Sequence, residues 1–321
     1  MTEVLGIGSA IIDQILPVSE EYLETIPGEK WGSELIDHRE LIQIIENSGS
    51  IPKRMVGGSA ANAVKGLASL GHQCGFISKI GQDEEGIIVT RDFENTGIRP
   101  HFISIPKPTG QVVCMVTPDG KRTMRWCKGA SVDLKSEDLD PVLFKNVKLV
   151  HIEGYLLYND TLAQKAMQIA KDSGAKISFD LSSFEIVDNY RQTILDLLSS
   201  YVDILFANAD EASALTHLSP EHGCHEMLNL CETAVVMMGE DGCYVGHEGN
   251  VSHFPAFPVK PLDTTGAGDL FAGGFLHGWL KGESLESSAK YGALLGREIV
   301  QVVGAELPQE NWKKVLPLIQ K

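Results

Sequence analysis

Residues 4–12 form an apolar run interspersed with small side chains, the pattern of a buried strand. Between Gln14 and Ser50 short apolar pieces are interrupted by Pro17, Pro27, Gly28 and Gly32, which predicts only brief helices. Residues 59–70 are rich in Ala and Leu and stop at Gly71, as a helix with a glycine after its last turn does. Residues 74–80 predict another strand. From Phe102 to Cys127 the pattern changes. Segments 111–117 and 121–127 are dominated by β-branched and large residues and flank Pro118-Asp119-Gly120, which predicts a hairpin. With no helix of its own, the hairpin is expected outside the layered core, as an edge ribbon or part of a lid.

After residue 146 the rhythm becomes regular. Short apolar runs at 147–152, 175–180, 203–207 and 233–237 alternate with helical patterns at about 160–173, 187–200 and 210–231. Helices at 267–281, 284–300 and 308–320 close the chain. Strands alternating with helices imply parallel βαβ units and a three-layer α/β sheet. One large domain over residues 1–321 is expected, with lid segments at about 14–50 and 100–128.

Apolar residues at 43% and charged residues at 22% exclude a disordered, collagenous or coiled-coil chain. The net charge of −16, without a basic patch, argues against nucleic-acid binding. No apolar run approaches the ~20 residues that span a bilayer, and the N-terminal residues lack a basic leader. Six scattered cysteines with no CxxC pair fit a reducing compartment, so a cytoplasmic protein without a membrane partner is expected. His222, Cys224, His225 and Cys231 fall in one helical stretch with no second ligand pair, which fits a packed or solvated helix face better than zinc.

The most informative segment is Asp263-Thr264-Thr265-Gly266-Ala267-Gly268-Asp269, a polar glycine turn running into an apolar helix dense in small residues. A helix start offers unpaired N–H groups and the positive end of the dipole to an anion. Gly266, Ala267 and Gly268 let the backbone approach that anion closely. Asp269 beside it fits a base that deprotonates a hydroxyl attacking phosphorus, and an ordinary first-turn acid is the plain alternative. Gly57-Gly58-Ser59-Ala60-Ala61-Asn62 opens another helix, where Asn62 can donate to and accept from vicinal hydroxyls, or cap and pack. Asp13 follows the first strand, where open α/β sheets place ligands. Gly6-x-Gly8 lacks the rest of a dinucleotide fingerprint, and GxxxxGK[ST] is absent.

The GG motif with Asn62, followed by DTTGAGD at 263–269, resembles the two signatures of the PfkB/ribokinase family of small-molecule kinases, in order and in spacing. The resemblance covers essentially the whole chain. It implies a ribokinase-like three-layer α/β/α fold with a mostly parallel central sheet, a small β-rich lid, and ATP·Mg²⁺-dependent phosphorylation of a primary hydroxymethyl group. By position, Asp269 matches the catalytic base, and Gly266, Ala267 and Gly268 match the anion hole. Asp13, Gly57, Gly58 and Asn62 match groups that bind the acceptor's hydroxyls. Asn208 and Glu211 match the NxxE motif, which organises Mg²⁺ and phosphate indirectly. Gly239 and Gly242 match a loop beside ATP. Asp263 and Thr265, with residues 302–305, match positions near a K⁺ site.

Thr117 to Met124, Gly129-Ala130-Ser131 and Ile152-Glu153-Gly154-Tyr155 resemble the adenosine kinase-like branch, and Asp180-Leu181-Ser182-Ser183-Phe184 departs from the DxNxR of sugar kinases. Ser9, where adenosine kinases often carry Asn, points the other way. The acceptor expected is a purine nucleoside, adenosine first, with Trp126, Phe184 and residues 112–115 as candidates for an apolar wall. Arg125 and Trp126 are candidates to stack a ring, or else to pack the lid. A ribose- or fructose-type sugar kinase and a non-catalytic binding protein on the same fold are the alternatives. Monomer and homodimer both remain open.

Overall fold

The computed structural model describes residues 2–159 and 161–319. Its large sheet runs, edge to edge, Asn250–Phe254, Cys243–His247, Thr233–Met237, Ile204–Asn208, Lys176–Asp180, Leu149–Glu153, Val4–Ile7, Cys74–Gly81 and Arg99–Ile105. From Thr233–Met237 to Arg99–Ile105 every neighbouring pair is parallel, and the first two strands form antiparallel pairings. Val4–Ile7 lies between Leu149–Glu153 and Cys74–Gly81, so the chain reverses its direction of winding there. Crevices at such a point, beyond the strands' carboxyl ends, are where open α/β sheets hold ligands.

Both faces of the sheet are covered. On one, Leu5, Ile7, Val150, Ile152, Ile177 and Phe179 pack under helices Leu162–Asp172 and Phe184–Tyr201. On the other, Val4, Phe76, Leu149, Ile204, Phe206 and Val235 pack under Ser59–Ser69, Glu84–Asn95 and Ala267–Leu280. Alternate residues of one strand thus serve opposite layers, which is why these strands read as unbroken apolar runs.

The second sheet has five strands in the order Ser33–Leu35, Arg122–Cys127, Gln111–Val116, Ile11–Pro17 and Lys53–Gly57. Leu16, Val113 and Met115 point to one face and pack with Leu23, Leu41 and Ile44 from helices Glu20–Glu24 and His38–Ser48. Asp13, Val112 and Trp126 occupy one row across the other face.

Several boundaries differ from the sequence pattern. The run at 4–12 is two strands in two sheets, broken at residues 8–10, where the Ser9 N–H turns to the Glu153 carboxylate at 2.7 Å. Segment 100–128 divides, because Arg99–Ile105 is an edge strand of the large sheet while 111–127 lies in the small one. The small sheet also recruits Lys53–Gly57. The helical pattern at 210–231 is two helices, Ala209–Thr216 and Pro220–Met227, separated by His217 in the left-handed region (φ +60°) and Pro220. No helix among the described residues is long and apolar enough to cross a membrane.

Candidate active site

Two helix N-termini meet at the crevice. Helix Ala267–Leu280 starts from Gly266, whose φ of +73° is left-handed and whose added Cβ would fall 2.6 Å from that of Ala305. Only glycine satisfies both constraints. Helix Ser59–Ser69 starts from Gly58 at φ +116°, where a Cβ would strike the Ser9 carbonyl oxygen. At Gly57 a Cβ would strike the Asp13 carboxylate, so the bare backbone lets that acid lie against it. The helices cross closely, Gly273 lying against the Ala63 carbonyl.

Asp269 stands where the two starts converge. Its Oδ2 accepts from Asn62 Nδ2 at 2.8 Å and its Oδ1 from Ser59 Oγ at 3.0 Å. Burial pushes its carboxyl up to about 6, against the pull of those two donors. Asp13, on the small sheet, is pushed up to about 7 by burial and then by the Asp269 charge, with Lys65 opposing. At the start of the Asp269 helix the Ala267 N–H donates to the Thr264 carbonyl at 3.2 Å, which leaves the N–H groups of Gly268 and Asp269 without backbone acceptors, the donors a helix start offers to an anion. Beside Gly268 the space is open: an added Cβ would meet only Met237, at an ordinary 3.4 Å.

Asn208 and Glu211 form a reciprocal cap at the end of strand Ile204–Asn208. The Glu211 N–H donates to Asn208 Oδ1 at 2.9 Å, while Asn208 N and Nδ2 each donate to the Glu211 carboxylate at 2.8 Å. Both Glu211 oxygens are therefore occupied by the protein, which suits an indirect part in ion binding. Gly239 faces open space, whereas Gly242, at φ +91°, lies tight against the backbone of Phe254 and Ala256. Among the described residues no three His, Cys, Asp or Glu side chains are placed to hold a metal ion together.

Asp263 accepts from the N–H groups of Thr265 at 2.8 Å and Gly304 at 2.7 Å. Its Oδ1 also receives the Arg122 guanidinium, which reaches Thr265 Oγ1 at 3.1 Å. Burial alone would raise this carboxyl; Arg122, Thr265 and Gly304 hold it below its ordinary range. The side chains matched to a K⁺ position are thus engaged by an arginine of the small sheet.

Three contributors lay outside the expected set. Glu153, fully buried at the end of Leu149–Glu153, accepts from Ser9 N at 2.7 Å and Ala60 N at 2.9 Å, joining the strand break to the Gly-Gly helix. Burial raises it to about 7. Its carboxyl also explains Gly8, where a Cβ would come within 2.6 Å of it. Asp180, buried at the end of Lys176–Asp180, is pushed up by burial and by the charge of Glu211. Arg122 is the third. An acid ending an apolar strand was the available signal for Glu153 and Asp180.

The apolar wall is narrower than expected. Val112 and Trp126 face the crevice, whereas Val113 and Met115 pack on the opposite side of the small sheet. Arg125 is also on that opposite side, buried and donating to the Pro27 carbonyl at 2.7 Å and the Glu29 carbonyl at 3.2 Å, so it packs rather than stacks. Phe184, at the start of its helix, is exposed.

A mostly parallel sheet between helical layers, a small second sheet, and a glycine-started helix beside a raised carboxyl define a ribokinase-like kinase. Residues 37–312 match the pfkB family carbohydrate kinase, and the chain belongs to that family. It is an ATP-dependent phosphotransferase with an alcohol group as acceptor. The structure superposes on an adenosine kinase from Sinorhizobium meliloti with a TM-score of 0.88 and 31% identity, covering 99% of both chains. A probable sugar kinase from Rhizobium etli gives a TM-score of 0.88 with 32% identity over 99% of both chains. An ATP-dependent ribose-1-phosphate kinase from Halopiger xanaduensis is 29% identical over 242 residues, 75% of this chain and 78% of the relative.

Proposed function

We propose that this kinase phosphorylates the hydroxymethyl group of a purine nucleoside, with Asp269 as the base. The observation that carries the chemistry is Asp269 itself: a partly desolvated carboxyl, raised to about 6, at a helix start built to receive an anion. Near neutral pH it is ionised and still basic enough to accept a hydroxyl proton. The hydroxyl oxygen attacks the terminal phosphorus of ATP while Asp269 takes its proton. The bond from that phosphorus to the bridging oxygen breaks and ADP leaves. N–H groups at Gly266, Ala267 and Gly268 face the charge that develops on the transferring phosphoryl oxygens. Magnesium supplies further charge neutralisation when bound with the nucleotide. The capped Asn208–Glu211 pair orients its water shell, and Gly239 and Gly242 shape the loop beside ATP.

Asp13 and Asn62 bind the acceptor's hydroxyls, over the bare backbone of Gly57 and Gly58. Glu153 positions those groups by accepting from the backbone N–H groups of Ser9 and Ala60. The nucleoside reading rests on Trp126 in the row with Asp13, and on Tyr155 stacked near Tyr158 just past the carboxyl end of strand Leu149–Glu153 in the large sheet (ring centroids 6.1 Å). Aromatic faces of this kind suit a planar base. Similarity to the Rhizobium etli probable sugar kinase keeps a sugar acceptor as the second reading. The test is kcat/KM for adenosine, inosine, ribose and fructose with ATP and Mg²⁺. A nucleoside is expected to lead; a sugar ahead of every nucleoside by about tenfold would replace the acceptor while leaving the kinase chemistry intact.

A further inference from the structure

We propose that Lys128 is a specificity-determining residue that reads a carbonyl oxygen on the acceptor's base, so that the preferred nucleoside is a 6-oxopurine (inosine or guanosine type) rather than adenosine. The proposal rests on the nucleoside reading above and names the base.

The argument begins with the row Asp13, Val112, Trp126, in which adjacent strands place the side chains on one face. Trp126 stands two strand spacings from Asp13, about 4.8 Å each. Lys128, two residues on, holds its ammonium 5.9 Å from the centre of the Trp126 ring and 4.1 Å from that of Tyr158. Tyr158 stacks near Tyr155, whose hydroxyl is pushed up by burial first and then by the charges of Glu153 and Asp269. Tyr155 follows Glu153, whose carboxylate accepts from the Ala60 N–H at the start of the Asn62 helix, so it stands at the same end of the sheet as that helix start. Lys128 joins the small sheet to the large one beside these rings. A base stacked on the Trp126 or Tyr158 ring would lie within reach of that ammonium.

Lys128 is half-buried, and no carboxylate among the described residues pairs with it. The nearby lysines behave otherwise: Lys121 pairs with Asp119 at 3.0 Å and Lys107 with Asp133 at 2.5 Å. An ammonium only donates hydrogen bonds, and over aromatic faces it has lost part of its water. Its complement is an acceptor atom. The 6-oxo group of hypoxanthine or guanine is such an atom, whereas the 6-amino group of adenine presents donors to a donor. Mismatched buried donors discriminate more strongly than a missing methylene does.

The test compares wild type with Lys128→Met, which keeps the length of the side chain and removes its charge, and with Lys128→Arg, which keeps the charge. Calorimetric Kd values for inosine and adenosine are measured without ATP, then kcat/KM with ATP and Mg²⁺. Wild type is expected to favour inosine by about tenfold or more, the size of one charge-assisted hydrogen bond. That ratio should fall to about one in Lys128→Met and be retained at least in part in Lys128→Arg. A wild-type preference for adenosine, or an unchanged ratio in a folded Lys128→Met protein, overturns the proposal. Failure of both nucleosides to bind, with a sugar phosphorylated instead, overturns the nucleoside reading and this proposal with it.

Discussion

Asn62 donates its side-chain N–H to Asp269 Oδ2 at 2.8 Å, across 207 residues of chain. Each residue lies in the first turn of its own helix, and each helix is started by a glycine in the left-handed φ region. With Ser59 Oγ donating to Oδ1, the bond holds the carboxylate between the two helix starts. It also favours the ionised form, so on the proposed reading of Asp269 as the base Asn62 helps set the pH at which that base is available.

Wild-type kcat/KM should therefore fall as pH drops below about 6, the value to which burial lifts Asp269. In Asn62→Ala a donor to the carboxylate is lost and the carboxyl titrates higher. The acid limb of the pH–rate profile moves to higher pH, with a loss in acceptor KM as well. An acid limb unmoved, or moved to lower pH, would remove Asn62 from this role.

Gly266 and Gly268 should respond differently to the same added methyl. At Gly266 the left-handed φ costs an alanine about 1–2 kcal/mol, and the new Cβ collides with Ala305 besides. Gly266→Ala should lower both melting temperature and activity. At Gly268 the added carbon meets only Met237, so Gly268→Ala should fold nearly as wild type, while Gly268→Val intrudes on the phosphoryl path. Full activity in a folded Gly268→Val protein would contradict the anion-hole role.

The βαβ rhythm after residue 146 was legible because buried parallel strands are uniformly apolar, and Thr233–Met237 lies where the pattern put it. DTTGAGD was legible because glycines before an apolar helix have a local conformational reason. The break at residues 8–10 was not. It depends on a carboxylate 144 residues away that captures the Ser9 N–H, and the local run of apolar and small residues carries no turn signal strong enough to mark it. Arg122 on Asp263 is hidden in the same way, by a separation of 141 residues. Ser33–Leu35 and Lys53–Gly57 are short, polar-edged strands whose pairing partners, not their composition, make them strands. Trp126 and Arg125 are adjacent in sequence, and only the side of the sheet each faces separates a residue in the Asp13 row from a packing one.

The crowded acids make stability fall with rising pH near neutrality. Asp13 and Glu153 are each raised to about 7, and Asp180 is raised as well, so the folded chain holds protons that the unfolded chain has released. Their stabilising contribution is present below the ordinary carboxyl range and is lost as pH climbs through about 7. His151 and His277, lowered to about 4 by burial, act in the opposite sense but only below their ordinary value of 6.5. The melting temperature of the ligand-free protein should thus fall between about pH 6.5 and pH 8. Asp13→Asn should flatten that slope; a slope unchanged in Asp13→Asn, or rising in wild type, would contradict the assignment.

Arg122 is the charged tie between the small sheet and the loop that precedes Asp269. In Arg122→Met, Asp263 keeps its two backbone donors, from Thr265 and Gly304, so the loop itself should persist. What loosens is the sheet that carries Asp13 and Trp126. Acceptor KM should rise by about fivefold or more, because orientation is lost rather than chemistry. An acceptor KM equal to wild type would show that the tie does not position the sheet.

The most direct measurement is single-turnover phosphoryl transfer by Asp269→Asn, using the best acceptor of the nucleoside and sugar panel, with ATP and acceptor Kd values measured on the same protein. The amide keeps the size of the side chain and an oxygen acceptor but cannot take the hydroxyl proton. Transfer should slow by about 10²–10⁴ or more while both Kd values stay within about threefold of wild type. A folded Asp269→Asn protein transferring phosphate within tenfold of the wild-type rate would contradict Asp269 as the base.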